Sequence, residues 1–151
     1  MVDETRQRIP DDDWETIVRH VPIVSVDLIV RVDNGVLLGK RTNEPAKGEW
    51  FTPGGRVHKC ESRRDAVHRV AKQEIGIDVR IDRQIGTYEH IYDTADVDST
   101  NSKHYLATGF VVSPEERPTV GDDQHSEFTV FDPPFQDLHP YVDQYLAEVD
   151  W

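Results

Sequence analysis

The 151-residue sequence predicts an α/β fold of the α+β kind, a sandwich with helices packed on both sides of one mixed sheet. Three observations carry this prediction. Strand-like apolar runs recur along the chain, among them "IVSVDLIVRV", "VLLGKRT", "KHYLATGFVV" and "EFTVFD". Two or three amphipathic helical segments lie between and after them. The length suits one domain with a real core and is short for two, so residues 1–151 are read as a single domain with an N-terminal tail at 1–10.

The elements follow in chain order. "DDDWETIVRHV", residues 11–21, places Trp14, Ile17, Val18 and Val21 on one helical face after an acidic first turn, and Pro22 ends it. The next two apolar runs flank Asp33-Asn34-Gly35, a hairpin signal because Asn and Gly both tolerate positive φ. "EPAKGEWFTPGGRV" reads as a loop around a short aromatic strand. A second helix spans about 62–75, with Ser62 and Asp65 forming a capping box and Gly76 as the stop. "IDVRID" and "QIGTYEHIYD" read as separate strands, and "DTADVDSTNSK" as a long hydrophilic loop. Pro140 opens a last helix within 139–149, carrying Tyr141, Tyr145, Leu146 and Val149 on its apolar side.

Composition narrows the function. With 29 acidic and 17 basic residues the net charge is −12, and no block of Lys or Arg forms a nucleic-acid or membrane footprint. A phosphate-bearing ligand must therefore find a local arginine cluster. Asp exceeds Glu and Arg exceeds Lys, a bias of halophilic proteins, whose self-repulsion is screened by salt. The single Cys60 excludes an internal disulfide and a thiolate metal cage. The charged start and the lack of any eighteen-residue apolar run lead us to expect a cytoplasmic protein.

The second helix poses the chemical question. Ala66, Val67, Val70, Ala71 and Ile75 cover one half of it, and Glu74 falls near the middle of that half. A buried ionised carboxylate without a partner costs several kcal/mol, so a cation is expected beside it, either an arginine or a metal. The Pro-Gly-Gly turn just upstream favours a metal, because Gly54 and Gly55 expose backbone carbonyls that can join a carboxylate around Mg²⁺.

"GGRVHKCESRRDAVHRVAKQEIGI" resembles the Nudix box at residues 54–76: Gly55, Glu61, Arg69, Glu74 and Gly76 fit its spacing, whereas Val70 and Gln73 replace two of its glutamates. Outside the box, "LLGKRTNEPAKGEWFTPGGRVHK", "HIYD", "KHY" and "DDQH" are similar in order to segments of the GDP-mannose mannosyl hydrolases, a branch of that superfamily. The likeness spans roughly residues 11–130. It implies a Nudix-type α/β/α sandwich that hydrolyses a GDP-sugar by substitution at the anomeric carbon. It also implies Mg²⁺, with Mn²⁺ as a substitute, on the Gly54 carbonyl, Glu74 and Gln124. His125 is implied as general base, Arg41, Arg56 and Tyr105 as catalytic groups, and Asp27, Arg69 and His90 as substrate contacts, while Arg69 can instead pair with Glu61. Lys40 and His104 are further candidates, whereas His58, His68, His139 and Cys60 read as structural or exposed. The expected partner is a nucleotide sugar, with no nucleic acid or membrane, and the branch implies a homodimer. Two rivals stand beside this reading: a pyrophosphohydrolase attacking phosphorus, and a Nudix fold that binds nucleotide sugars without turnover. Gln73 fits neither the full box nor the branch.

Overall fold

A computed structural model describes residues 8–118, 121–122 and 127–151. The elements are α1 (Asp11–His20), β1 (Ile23–Val32), β2 (Gly35–Lys40), β3 (Trp50–Phe51), β4 (Gly54–Arg56), α2 (Arg63–Ile75), β5 (Val79–Tyr92), β6 (Lys103–Pro114), β7 (Gly121–Asp122), β8 (Glu127–Phe131) and α3 (Pro140–Leu146). One mixed sheet runs β5-β6-β1-β2-β8-β7, with β3 paired to β2 and β4 to β1. Only β1 and β6 pair in parallel among the described strands, in register from Ile23 opposite Tyr105 to Val30 opposite Val112.

Period-two alternation along β1 sends its side chains to two cores. Val26, Leu28, Val30 and Val32 meet Ala66, Val67, Val70 and Ala71 of α2 on one face. Ile29 joins Val36 and Leu38 of β2 and Val142, Tyr145 and Leu146 of α3 on the other. The expected sandwich is thus the observed one, and β1 is its central element. Asp27 shares the alternation of Ile29 and is the one carboxylate of β1, whose only other polar side chains are Ser25 and Arg31.

Local signals place most boundaries. Ser62 caps α2, its Oγ accepting from the Asp65 N–H at 3.1 Å, and Gly76 ends the helix with φ of 75° in the left-handed region. Four expectations change. The hairpin turn puts positive φ on Asp33, and Gly35 already pairs with Val32; glycine is required there because a Cβ would lie 2.8 Å from Asp132 Oδ1 and against the Phe131 carbonyl. The two strands read from 77–82 and 84–93 are one continuous β5, bent by irregularities at Ile81/Arg83 and Gln84/Gly86. The last helix stops at Leu146, short of 149. Val21, expected on the apolar face of the first helix, falls just beyond α1 and is 49% exposed.

Candidate active site

A cleft of about 550 Å³ opens between the ends of β1 and β2, the β3–β4 turn, and the C-terminal end of α2. Eight of the candidate residues line it: Asp27, Lys40, Arg41, Gly54, Arg56, Glu74, His90 and Tyr105, whereas His104 does not. Gln124 and His125 lie outside the described residues. Arg69 is the expected substrate contact that the fold does not bring to the cleft.

The reason is that Arg69 is fully engaged elsewhere. Its Nε donates to Glu61 Oε2 at 2.8 Å and its Nη2 to Glu61 Oε1 at 2.9 Å and to the Arg56 carbonyl at 2.7 Å. Its Nη1 donates to Gln73 Oε1 at 2.9 Å. Gln73 thereby gains a role that its sequence position did not reveal, as the neutral end of a brace between α2 and the loop that precedes it. Glu61 also accepts from the His58 N–H at 3.0 Å. The arginine holds the Glu61 carboxyl below its ordinary range against the opposing effect of burial, which is the largest single influence.

Glu74 departs from the expectation of burial on the apolar side. The buried face of α2 is Ala66, Val67, Val70 and Ala71, and Glu74, one turn beyond Val70, is exposed and turns into the cleft. Ile75 of the same turn still packs against the core, so the exposure of Glu74 comes from the cleft that opens beside it. Val70, at a position that is Glu in the full box, is 1% exposed, and a Cβ on Gly55 would approach its Cγ2 to 2.9 Å. Gly55 therefore lets α2 sit directly on β4. The cleft wall still raises the Glu74 pKa by desolvation, with the Arg41 charge pulling it back.

Arg41 is set by the loop after β2, where its Nε donates to the Pro45 carbonyl at 2.7 Å. Asp27 faces it from β1, and burial raises the Asp27 pKa to about 6, opposed by a hydrogen bond from Tyr145 and by the Arg41 charge. The Tyr145 hydroxyl donates to Asp27 Oδ2 at 2.7 Å. His90 is 2% exposed and stacks on Tyr141 with ring centroids 4.2 Å apart. Its Nδ1 lies 3.9 Å from Asp27 Oδ2, too far for a hydrogen bond, and its Nε2 has no hydrogen-bond partner among the described residues. Burial, then the neighbouring His139, push the His90 pKa down to about 4, so the ring is neutral at pH 7.

Behind Trp14 and Tyr105 of the cleft lining stand residues that sequence reading missed. Trp14 of α1 lines the cleft, and its Nε1 donates to Asp96 Oδ2 at 3.1 Å. Lys103, 5% exposed, pairs with Asp96 at 2.7 Å and lies 5.1 Å from the ring centroids of both Trp14 and Tyr105. Arg56 stands over Trp14 at 5.9 Å, and burial followed by the nearby Arg69 charge lowers its pKa. This cluster ties the long hydrophilic loop to α1. The apolar periodicity of 11–21 hides the polar task of the indole N–H, and nothing local marks Lys103. Tyr92 and Thr52 also line the cleft, and the buried Thr52 Oγ1 has no hydrogen-bond partner among the described residues.

The arrangement can thus offer cations to an anionic group, a buried carboxylate and neutral imidazole to hydroxyls, and oxygen donors to a hard metal. A family model described as the NUDIX domain matches residues 21–146, which contain nearly all of this cleft. The chain belongs to the NUDIX family. Nudix hydrolases act on nucleotide derivatives and generally use divalent metal ions. This Nudix chain is 55% identical over 148 residues, 98% of its length and 95% of the relative's, to the low-salt glycan biosynthesis protein Agl8 of Haloferax volcanii. It is 42% identical over 67 residues to the ADP-ribose pyrophosphatase of Methanocaldococcus jannaschii, covering 44% of this chain and 40% of that protein. Among solved structures, the MutT NUDIX hydrolase from Burkholderia pseudomallei superposes with a TM-score of 0.66 at 26% identity, covering 85% of this chain and 98% of that one. No helix among the described residues is long and apolar enough to cross a membrane.

Proposed function

We propose that this Nudix hydrolase cleaves GDP-mannose or a related GDP-hexose by Mg²⁺-dependent substitution at the anomeric carbon, releasing GDP and the free sugar. The fate of the box's acidic positions carries this reading. Glu61 is spent on Arg69, Val70 is packed against Gly55, Gln73 is neutral, and Glu74 is the box carboxylate that reaches the cleft. Attack on phosphorus in the family draws on several glutamates around two or three cations. Substitution at carbon asks for less, because a diphosphate is a low-pKa leaving group that needs charge neutralisation and no proton. The relative named for glycan biosynthesis supports a nucleotide sugar as substrate.

In this reading Arg41 and Arg56 fork onto diphosphate oxygens, with Tyr105 beside them. Asp27 and His90 hold sugar hydroxyls, the carboxylate accepting and the neutral imidazole donating or accepting. His125 removes the proton of the attacking water, a task suited to an imidazole that is neutral at working pH. The donor set fits a hard cation, with the Gly54 backbone and the Glu74 carboxylate in one cleft lining, and only glycine leaves room at 54 for the Asp27 carboxylate packed against it. In this reading Gln124 and substrate phosphate oxygens complete the shell. A divalent cation held there supplies the neutralisation that departing GDP requires.

Incubation with GDP-mannose and Mg²⁺, followed by chromatography, tests the reading. GDP and mannose are expected. GMP and mannose 1-phosphate would overturn it in favour of phosphorus chemistry, as the pyrophosphatase relative would have it, and binding without products would favour a non-catalytic role.

A further inference from the structure

Asp27 sits within β1 between the buried Val26 and Leu28, where a carboxylate is costly unless something holds and uses it. What holds it comes from the far end of the chain. Tyr145 of α3, 0% exposed, donates its hydroxyl proton to Asp27 Oδ2 at 2.7 Å across a separation of 118 residues. Gly109 of β6, in register with Asp27, gives the ring its passage: a Cβ there would stand 2.8 Å from Tyr145 Cε1. With Oδ2 committed, the carboxylate is turned so that Oδ1 lies beside Gly54, a cleft residue.

One turn earlier on α3, Tyr141 docks the other buried polar group. It stacks on His90 with planes 9° apart, donates its hydroxyl proton to the Ile91 carbonyl at 2.8 Å, and accepts from the Ile91 N–H at 3.0 Å. The two tyrosines are four residues apart and so share a helical face. Ring packing alone asks only for phenylalanine at 145, whereas a buried hydroxyl on a buried carboxylate fixes that carboxylate's rotamer.

We propose that Tyr145 is a positioning residue, its hydroxyl reaching past Gly109 to fix the Asp27 carboxylate with Oδ1 presented to the sugar of a bound nucleotide sugar. This rests on the reading of Asp27 as a sugar contact. Tyr145 itself touches no substrate, and its effect runs through Asp27.

The test is the affinity of wild type and Tyr145→Phe for GDP-mannose and for GDP, both with Mg²⁺, from rapid-mixing tryptophan fluorescence before any turnover. The phenylalanine variant keeps the ring in place. Its Kd for GDP-mannose is expected to rise about tenfold while its Kd for GDP stays within about twofold. Gly109→Ala, which displaces the ring with the hydroxyl intact, is expected to show the same split. An unchanged GDP-mannose Kd in Tyr145→Phe, or a parallel loss for both ligands, would overturn the inference. So would a wild type that binds GDP-mannose no more tightly than GDP. The choice of scissile bond is judged separately, by the wild-type products, so GMP as product with a preserved split would sink the reaction assignment and leave the role of Tyr145 standing.

Discussion

His90 and Asp27 lie side by side in the cleft, and burial drives their titrations towards each other. His90, with a folded pKa of about 4, contributes stability that is present above its unfolded value near 6.5 and is lost as pH falls towards 4. Asp27, raised to about 6, contributes in the opposite sense: its stability is present below its ordinary value of 3.8 and is lost as pH rises through 6. The two slopes oppose each other between pH 4 and 6. His90→Gln removes only the first, so its stability should fall by roughly 2 kcal/mol less than wild type's between pH 7 and 4.5 in urea titrations. Equal falls would contradict the buried, neutral histidine. For His125→Gln, kcat should drop by ~10²-fold or more if the imidazole is the general base. Turnover that stays unchanged from pH 5 to 8 would remove it from that role. Asp27 was legible because a charge inside an apolar strand is conspicuous. Tyr145 was not, since nothing near it in sequence distinguishes a core tyrosine from one that reaches a carboxylate 118 residues away.

α2 shows which parts of an element can be read locally. Its start at Ser62 and stop at Gly76 depend on neighbours in sequence and were readable. The surroundings of Glu74 depend on where the cleft opens against α2, which a helical wheel does not contain. The same holds for β5, where a polar interruption suggested two strands and the fold absorbs it as irregular pairing against β6. Gln73 was opaque because its partner, Arg69, was expected at the substrate. The brace it completes is nearly buried, with the Glu61 and Arg69 side chains each 11% exposed. Arg69→Ala strands the Glu61 carboxylate and should cost about 3 kcal/mol in urea unfolding. A loss below about 0.5 kcal/mol would show that the brace is solvated and that Arg69 is free to serve a ligand after all.

Across the molecule, a sheet whose central strand feeds two cores supports a cleft lined by Lys40, Arg41 and Arg56 in a protein of net charge −12. Composition made the constraint legible, while the clustering of Arg41 and Arg56 emerges only when the β2 end and the β4 turn meet at one cleft. The self-repulsion of so many carboxylates is screened over about 10 Å at 0.1 M salt and about 3 Å at 1 M. We therefore expect the thermal midpoint to rise between 0.1 and 2 M KCl, and a fall would remove the case for a high-salt protein. The proposed reaction breaks a single bond, the one from the anomeric carbon to the diphosphate oxygen. Hydrolysis of GDP-mannose with Mg²⁺ in ¹⁸O water, followed by mass spectrometry of both products, tests it directly. Label in the mannose and none in the GDP is the predicted result, and label in a phosphate product would contradict it.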